Sequence, residues 1–485
     1  MRTVYFVSLG CPKNRVDTEV MLGHLQGGGY RAVSSPAAAE LIVVNTCGFI
    51  DAAKEESVDA IIEMGGYKER GACQKLVVTG CLSQRHAPEL RRAMPEVDHF
   101  LGTGNFETIA RVVNGDQELA EAEPAMAGAA PAAAAPARLH PRLRGRNKLV
   151  PYAHAQTDDS EAIPDPDFTL TAASPRQRTQ PAWTSYLKVS EGCSNTCAFC
   201  VIPKLRGPQR SRPVADVVEE AKRLIDQGAV ELNLVAQDLC AYGKDLQPRA
   251  HLAELLEALD RLGEQRERPL WLRCLYAYPR GLTDAVIDVM AGARSIVPYL
   301  DLPLQHIADD MLRRMRRGAD EQVTRQLIGK LRARVPNLTL RTTFIAGMPG
   351  ETEAEFAALL AFVREARFEH LGVFAYSQED DTPAGTMAVQ VPAAERQRRK
   401  QAIMRLQRTI SRELQAARVG QVLDVLVAGR SEETDLLLVG RHAGQAPDID
   451  GVTYITSGIA SPGDIVRVQV AETNDYDLAG EMLAN

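Results

Sequence analysis

Hydrophobic and polar positions fall into three regimes along this 485-residue chain. In the first hundred residues, short apolar, β-branched runs alternate with helical patterns. VYFVSLG, LIVVNT and KLVVTG read as strands, and helical spacing follows each of them over 14–26, 51–64 and 85–94. Glycines at 27–29 and 65–66 and Pro95 end those helices, because glycine supplies a left-handed cap and proline prevents continuation. Strands alternating with helices predict βαβ units and a parallel α/β sheet. A second regime repeats the alternation six times, in SYLKVS, VELNLVA, LWLRCLY, VPYLDLPL, LTLRTTFIAG and HLGVFAYS, with helices over 214–227, 251–263, 282–290 and 352–367. Six βα units fall short of the eight of a closed barrel, so the expectation is a partial (βα)6 barrel. A long helical pattern over 393–418 leads to the third regime. There QVLDVLVAG, DLLLVGR, VTYITSG and DIVRVQVAETN, divided by Gly, Pro and Asp, predict a small antiparallel β-barrel of OB-like type.

Composition sets the boundaries. Residues 119–181 turn Ala/Pro-rich, then basic, then acidic, without apolar periodicity, which predicts a disordered or loosely tethered linker. Its basic stretch (Arg138, Arg142, Arg144, Arg146, Lys148) could touch RNA, although such runs are more often solvated. The expected domains are therefore 1–118, the linker 119–181, 182–417 and 418–485. No run is apolar for long enough to be a signal peptide or a membrane span. Nine cysteines in such a chain argue for metal or catalysis before disulfides, and for a cytoplasmic protein. The net charge of −7 invites no general contact with nucleic acid. From Arg418 onward there are four Arg, no Lys and eleven Asp plus Glu, so that segment alone carries −7. An acidic module suits a basic protein partner; the bland alternative is that the charge only aids solubility.

The cysteines carry the chemistry. Cys193, Cys197 and Cys200, in EGCSNTCAFC, offer three thiolates within eight residues, in the loop after the first barrel strand. Iron–sulfur clusters are normally held by four thiolates. Three leave one iron of a four-iron cluster open, and an open position marks a catalytic site. Zinc is the competing reading, but it usually takes a fourth Cys or His nearby, and none follows closely; Cys240 is the main rival for a fourth ligand. Cys274 falls inside a strand pattern and suits barrel packing. Cys11, Cys47 and Cys81 each end a strand run of the first domain. Strands of a parallel sheet run one way, so these residues lie along one edge, where open α/β sheets bind ligands. They are candidates to meet and hold a second cluster, again through three protein ligands. Cys73 precedes its strand and belongs at the opposite edge.

The Cys-x3-Cys-x2-Cys spacing with its aromatic residue resembles the signature of the radical S-adenosylmethionine (SAM) enzymes. That resemblance implies that the open iron binds SAM and cleaves it to a 5′-deoxyadenosyl radical. GMPGE, with Gly347, Gly350 and Glu351, resembles the SAM-contacting segment of that superfamily. Gln237 and Asp238, after the second barrel strand, are further candidates for SAM contacts.

The order of the three regimes is similar to that of the methylthiotransferases, which join a three-cysteine N-terminal domain, a radical SAM barrel and a small TRAM domain. SLGCPKNRVDTE, NTCGFIDAAKEES, APDIDGVTYI and DYDLAG resemble the branch of that family that methylthiolates an aspartate of small-subunit ribosomal protein S-twelve. The transfer-RNA branch typically shows GCQMN at the first cysteine. The resemblance implies two 4Fe-4S clusters: Cys193, Cys197 and Cys200 for the SAM-cleaving one, and Cys11, Cys47 and Cys81 for an auxiliary one that handles sulfur. It further implies SAM as methyl donor and radical source, a ribosomal partner, a reductant protein and a sulfur source, with no membrane involved. No acid–base dyad is required, because the β-carbon of aspartate is activated by a radical and not by a base. The alternatives are methylthiolation of a transfer-RNA adenosine, and a non-enzymatic metal-binding adaptor on the ribosome.

Overall fold

The computed structural model of this protein describes residues 1–115, 163–432 and 434–484. The first domain is a parallel sheet of β1 (Arg2–Ser8), β2 (Tyr30–Ala32), β3 (Leu41–Thr46), β4 (Lys75–Gly80) and β5 (His99–Phe100), in the order β2-β1-β3-β4-β5. β1, β3 and β4 are the three runs marked in the sequence; β2 and β5 are too short to carry a pattern. Ile42, Val44, Leu76 and Val78 pack against Val58 and Ile61 of the helix Asp51–Gly65 and Leu90 of the helix Cys81–Ala93. Val43 and Val77 join the other face, with Val16 and Val20 of the helix Pro12–Gly27. Both faces are covered, which is why these strands read as continuous apolar runs.

The second domain adds β6 (Thr184–Lys188), a short antiparallel ribbon of β7 (Ser190–Glu191) and β8 (Arg210–Ser211), and then β9 (Glu231–Val235), β10 (Trp271–Cys274), β11 (Ile296–Asp301), β12 (Thr339–Ala346) and β13 (His370–Ala375). The six long strands are parallel in the order β13-β12-β11-β10-β9-β6, a partial barrel as expected. Side chains alternate across a strand. Leu187, Leu232, Leu234, Leu272, Leu300 and Leu340 face the surrounding helices. The alternate positions Lys188, Glu231, Asn233, Arg273, Asp301 and Arg341 line the inside. A closed (βα)8 barrel fills its interior with branched apolar side chains; this open one fills it with charge.

The helix Ala393–Ala416 packs on β12 and β13 and leads to the third domain. That domain is a closed barrel of β14 (Val422–Arg430), β15 (Leu438–His442), β16 (Thr453–Ile455), β17 (Ile465–Thr473) and β18 (Leu478–Met482). Its pairs are antiparallel apart from β16–β18, which is parallel, and β18 is the strand that completes closure. The segment after β15 plugs the far end of the central barrel. Arg441 pairs with Glu231 at 2.6 Å, Arg273 donates to the Ala443 carbonyl at 2.6 Å, and the Tyr299 hydroxyl donates to Asp450 at 2.7 Å.

The linker needs correction. Residues 116–162, with the basic stretch, lie outside the described residues, but 163–181 form an ordered strap between the first two domains. Arg176 holds Glu19 of the first domain at 2.7 Å and Glu220 of the second at 2.6 Å. Thr179 donates to Glu19 through both its N–H and its hydroxyl, Leu170 is buried, and Phe168 stacks edge-on against Phe106 at 4.9 Å. A polar composition concealed this order, because the strap is held by buried charge with a few isolated apolar anchors such as Leu170 and Phe168, not by a periodic apolar face. Among the described residues no helix is long and apolar enough to cross a membrane.

Candidate active site

β1, β3 and β4 are neighbours, so the residues just past their carboxyl ends converge. Cys11 follows β1 by three residues, while Cys47 and Cys81 come directly after β3 and β4. The helix Cys81–Ala93 starts at Cys81 itself, four residues earlier than the pattern over 85–94 suggests. Burial pushes the Cys47 thiol up to about 12, and the proximity of Cys81 and Cys11 adds to this. The Cys81 thiol is raised by burial in the same way. Ser57 accepts the Cys47 N–H at 3.0 Å and donates to its carbonyl at 2.9 Å. Asn14 donates to the carbonyls of Leu9 and Thr46, both at 2.9 Å, and so ties the Cys11 and Cys47 loops together. Gly10 has φ +88°, and a Cβ there would lie 2.9 Å from the Cys47 Cβ. Gly10→Ala is expected to cost about 1–3 kcal/mol. Iron bound after reconstitution should fall towards that of a Cys11→Ala protein, measured by metal analysis. Cys73 lies at the opposite end of β4, its thiol bonded to the Lys75 carbonyl at 3.3 Å.

Cys193, Cys197 and Cys200 lie between β7 and the helix Ile202–Arg206. The loop is pinned by backbone bonds: Cys193 N–H to Gly207 O at 3.0 Å, Ala198 N–H to Met315 O at 3.0 Å, and Ala384 N–H to Ala198 O at 2.8 Å. Beneath it Ala198 packs with Met311, Met315 and Met348. Burial pushes the Cys200 thiol up to about 12, with the nearby Cys197 and Cys193 adding to it. Arg317, stacked on Tyr278 at 4.1 Å, donates to the Cys197 sulfur at 3.5 Å. Cys240 is not a fourth member. It packs in the apolar layer outside the barrel with Cys274, and its sulfur accepts the Tyr278 N–H at 3.3 Å.

The first triad meets the chain that follows the second. Cys81 packs against Val201 and Leu205, immediately after Cys200. Between them runs a buried charge network that local pattern did not reveal. Arg206 pairs with Asp17 at 2.7 Å and Glu191 at 3.2 Å and donates to the Asn14 side chain. Lys188 bonds the same two acids, Glu191 at 2.6 Å and Asp17. Burial alone would raise the Glu191 carboxyl; Lys188 and Arg206 outweigh it and hold it below the usual carboxylate range.

Among the described residues no three His, Cys, Asp or Glu side chains converge on a single point as ligands of one ion. The thiols of each triad nevertheless stand near enough to repel one another as thiolates. That donor set suits a polynuclear iron–sulfur group, which spreads its ligands around a cube, better than zinc, which gathers four ligands at about 2.0–2.3 Å. Ligation would displace the protons that burial keeps on the Cys47, Cys81, Cys193 and Cys200 thiols.

The candidate SAM contacts have partners within the protein. Asp238 accepts from Asn195, inside the cysteine loop, at 2.7 Å, and Gln237 donates to Glu191 at 2.7 Å. Glu351 is wholly buried and faces inward. It accepts from Arg399 at 2.8 Å and from the Gly347 N–H, and it meets His306 Nε2 at 3.1 Å. His306 Nδ1 accepts the Ala308 N–H, so Nε2 carries the proton and donates. Glu351 thereby holds the Gly347–Gly350 turn, whose Gly350 N–H is bonded to the Val389 carbonyl at 2.8 Å.

Family models match each domain in turn: Uncharacterized protein family UPF0004 over 3–102, the Radical SAM superfamily over 187–363 and the TRAM domain over 419–483. Among solved structures the fold is similar to the radical SAM methyltransferase TsrM from Kitasatospora setae (TM-score 0.52, 15% identity, covering 79% of this chain and 75% of that one). It is also similar to the cobalamin-dependent SAM radical enzyme OxsB (TM-score 0.53, 12% identity, 84% and 56%). Fold and domain order together define a radical SAM methylthiotransferase. Proteins named ribosomal protein uS12 methylthiotransferase RimO are similar over 99% of this chain: 53% identical in Anaeromyxobacter sp. (strain Fw109-5), covering 93% of that protein, and 48% in Myxococcus xanthus, covering 92%. The chain belongs to the RimO family.

Proposed function

We propose that this enzyme methylthiolates the β-carbon of an aspartate in ribosomal protein S-twelve, using two cysteine-held clusters that meet at the mouth of the partial barrel. The observation that carries the reading is the packing of Cys81 on Val201 and Leu205, which follow Cys200 in the chain and so bring the two cysteine loops together. When bound, a 4Fe-4S cluster at Cys193, Cys197 and Cys200 would supply one-electron cleavage of SAM, and one at Cys11, Cys47 and Cys81 would handle the transferred sulfur.

The chain's own residues supply placement and exclusion of water. Arg317 hydrogen-bonds the Cys197 sulfur, and Asn195 and Asp238 brace the loop between Cys193 and Cys197. Asp238, Gln237 and the 347–351 turn are the proposed SAM-side surface, with Glu351 acting through the turn it holds. Lys188, Arg206, Asp17 and Glu191 lock the first domain onto the second, so the two clusters would keep one separation. A fixed, dry site protects reactive species from water. The net charge of −7 on the C-terminal domain favours a basic protein over RNA as partner. A reductant protein and a sulfur source complete the requirements.

The test is direct. Anaerobically reconstituted protein is incubated with SAM, a reductant and either a peptide carrying the target aspartate or transfer RNA. Mass spectrometry is expected to show one methylthio group in place of one hydrogen on the peptide. Modification of the RNA alone would sink the substrate assignment, and a colourless zinc-loaded protein would sink the cluster assignment.

A further inference from the structure

We infer that Lys13 selects an acidic residue in the substrate, its ammonium receiving the carboxylate of the side chain to be modified. This deepens the function proposed above and rests on it. Lys13 is 6% exposed. It stands in the first turn of the helix Pro12–Gly27, two residues past Cys11, and its ammonium lies 3.1 Å from the centroid of the Tyr276 ring at the barrel. A buried ammonium is retained only where something offsets its lost hydration. A ring face offers part of that, and among the described residues no hydrogen bond or ion pair offers the rest.

The neighbouring carboxylates are committed elsewhere. Asp17 and Glu191 pair with Lys188 and Arg206. Glu231 pairs with Arg273 and Arg441, and Asp301 and Asp450 pair with Arg341 at 3.8 and 3.4 Å. Lys13 is thus, like Arg317 beside Cys197, a buried cation without a carboxylate partner among the described residues. Near it Asp301 has its Oδ1 atom buried without a hydrogen bond among the described residues, as have Gln237 at Oε1 and Arg341 at Nε, which contact Glu191 and Asp301 in turn, so the wall is polar and not apolar.

The backbone adds an independent sign. Tyr276, just past β10, has φ +63°, a conformation that a bulky residue adopts only when its surroundings compel it. Its N–H is bonded to Asp301 at 3.1 Å and its carbonyl accepts the Leu239 N–H at 3.0 Å, which fixes the ring beneath the Lys13 ammonium. The result is a held cation two residues from Cys11 and close to the Arg206–Glu191 pair that joins the first two domains, where on the proposed function the reacting carbon comes. A carboxylate anchored there sits one bond from its own β-carbon, so recognition of the acid also orients the carbon to be modified. An uncharged amide of the same shape would leave the cation unpaired.

The experiment measures binding of two fluorescent peptides, identical except for Asp or Asn at the target position, to the reconstituted full chain by anisotropy. Wild-type protein is expected to bind the Asp peptide about ten-fold or more tightly than the Asn peptide, as a charged hydrogen bond allows. In Lys13→Met the ratio should fall to about one, and Lys13→Arg should restore most of it. Iron content and thermal melting are read in parallel. If Lys13→Met loses iron but keeps the wild-type ratio, Lys13 serves only the Cys11 thiolate and the inference is overturned. A wild-type ratio near one overturns it without any variant, so a misfolded Lys13→Met protein does not protect it. Failure of the underlying function looks different: wild-type protein then transfers no methylthio group to the Asp peptide at all. The inference alone fails if that transfer occurs while the binding ratio is indifferent to Lys13.

Discussion

Cys47→Ala protein, reconstituted with iron and sulfide, is expected to cleave SAM and yet to deliver no methylthio product above background, whereas Cys197→Ala should lose both activities. The split follows from where the two residues sit. Cys47 ends β3 of the first domain, and its replacement leaves the loop of Cys193, Cys197 and Cys200 with all its backbone bonds to 207, 315 and 384. Cys197 stands inside that loop and receives the Arg317 hydrogen bond. The same division is expected for Cys11→Ala and Cys81→Ala, with one refinement. Cys81 also packs on Val201 and Leu205, so its variant should disturb SAM cleavage more than the Cys47 variant does. Product is followed by mass spectrometry and 5′-deoxyadenosine by chromatography in the same samples. Product from Cys47→Ala at the wild-type level would remove the auxiliary cluster from the place proposed for it.

Arg206→Met should be the most damaging change outside the cysteines. Arg206 is 1% exposed and joins Asp17 and Asn14 of the first domain to Glu191 of the second. Removing it leaves two buried carboxylates to share Lys188, and breaking such a network from one side costs about 3–5 kcal/mol. Because the network spans a domain boundary, the loss should appear as separation of the first two domains rather than as global unfolding. Hydrogen exchange should rise in the helix Pro12–Gly27 and around β7, while the C-terminal barrel keeps its protection. Arg206→Lys should recover part of the stability and not all of it, since a lysine cannot reproduce the fork that meets both acids through one nitrogen and Asn14 through the other. The Glu191 carboxyl is held below its unfolded value, so this contribution is present at neutral pH and is lost as pH falls through its folded pKa. Unchanged exchange in Arg206→Met protein would mean that the strap residue Arg176, with Glu19 and Glu220, suffices to hold the domains together.

Much of the architecture was legible. All six long strands of the central barrel coincide with the apolar runs read from the sequence, because parallel strands covered by helices need continuous or alternating apolar residues. Cys11, Cys47 and Cys81 could be put on one sheet edge, because each ends such a run and strand direction does the rest. What escaped was of two kinds. β2, β5 and β18 are short or mixed in character, so they form because neighbouring strands offer them partners and not because of their own pattern. The strap over 163–181 escaped because its composition is that of a linker, while its order comes from Arg176 meeting two acids that lie 157 and 44 residues away in sequence.

The same distinction separates what the sequence by itself determined from what only the tertiary structure decided. Alone it determined the class of chemistry, since three thiolates within eight residues need no fold to bring them together, and it determined the order of the three domains through local periodicity. The tertiary structure decided how charge is spent. Lys188 with Asp17, Arg206 with Asp17 and Arg441 with Glu231 are pairs 171, 189 and 210 residues apart, and nothing local says which of 56 basic residues each acid will meet. Periodicity reports whether one residue is buried; pairing is a property of two, set only when distant strands and helices have packed. That packing also left Lys13 buried beside Tyr276 with no carboxylate partner among the described residues.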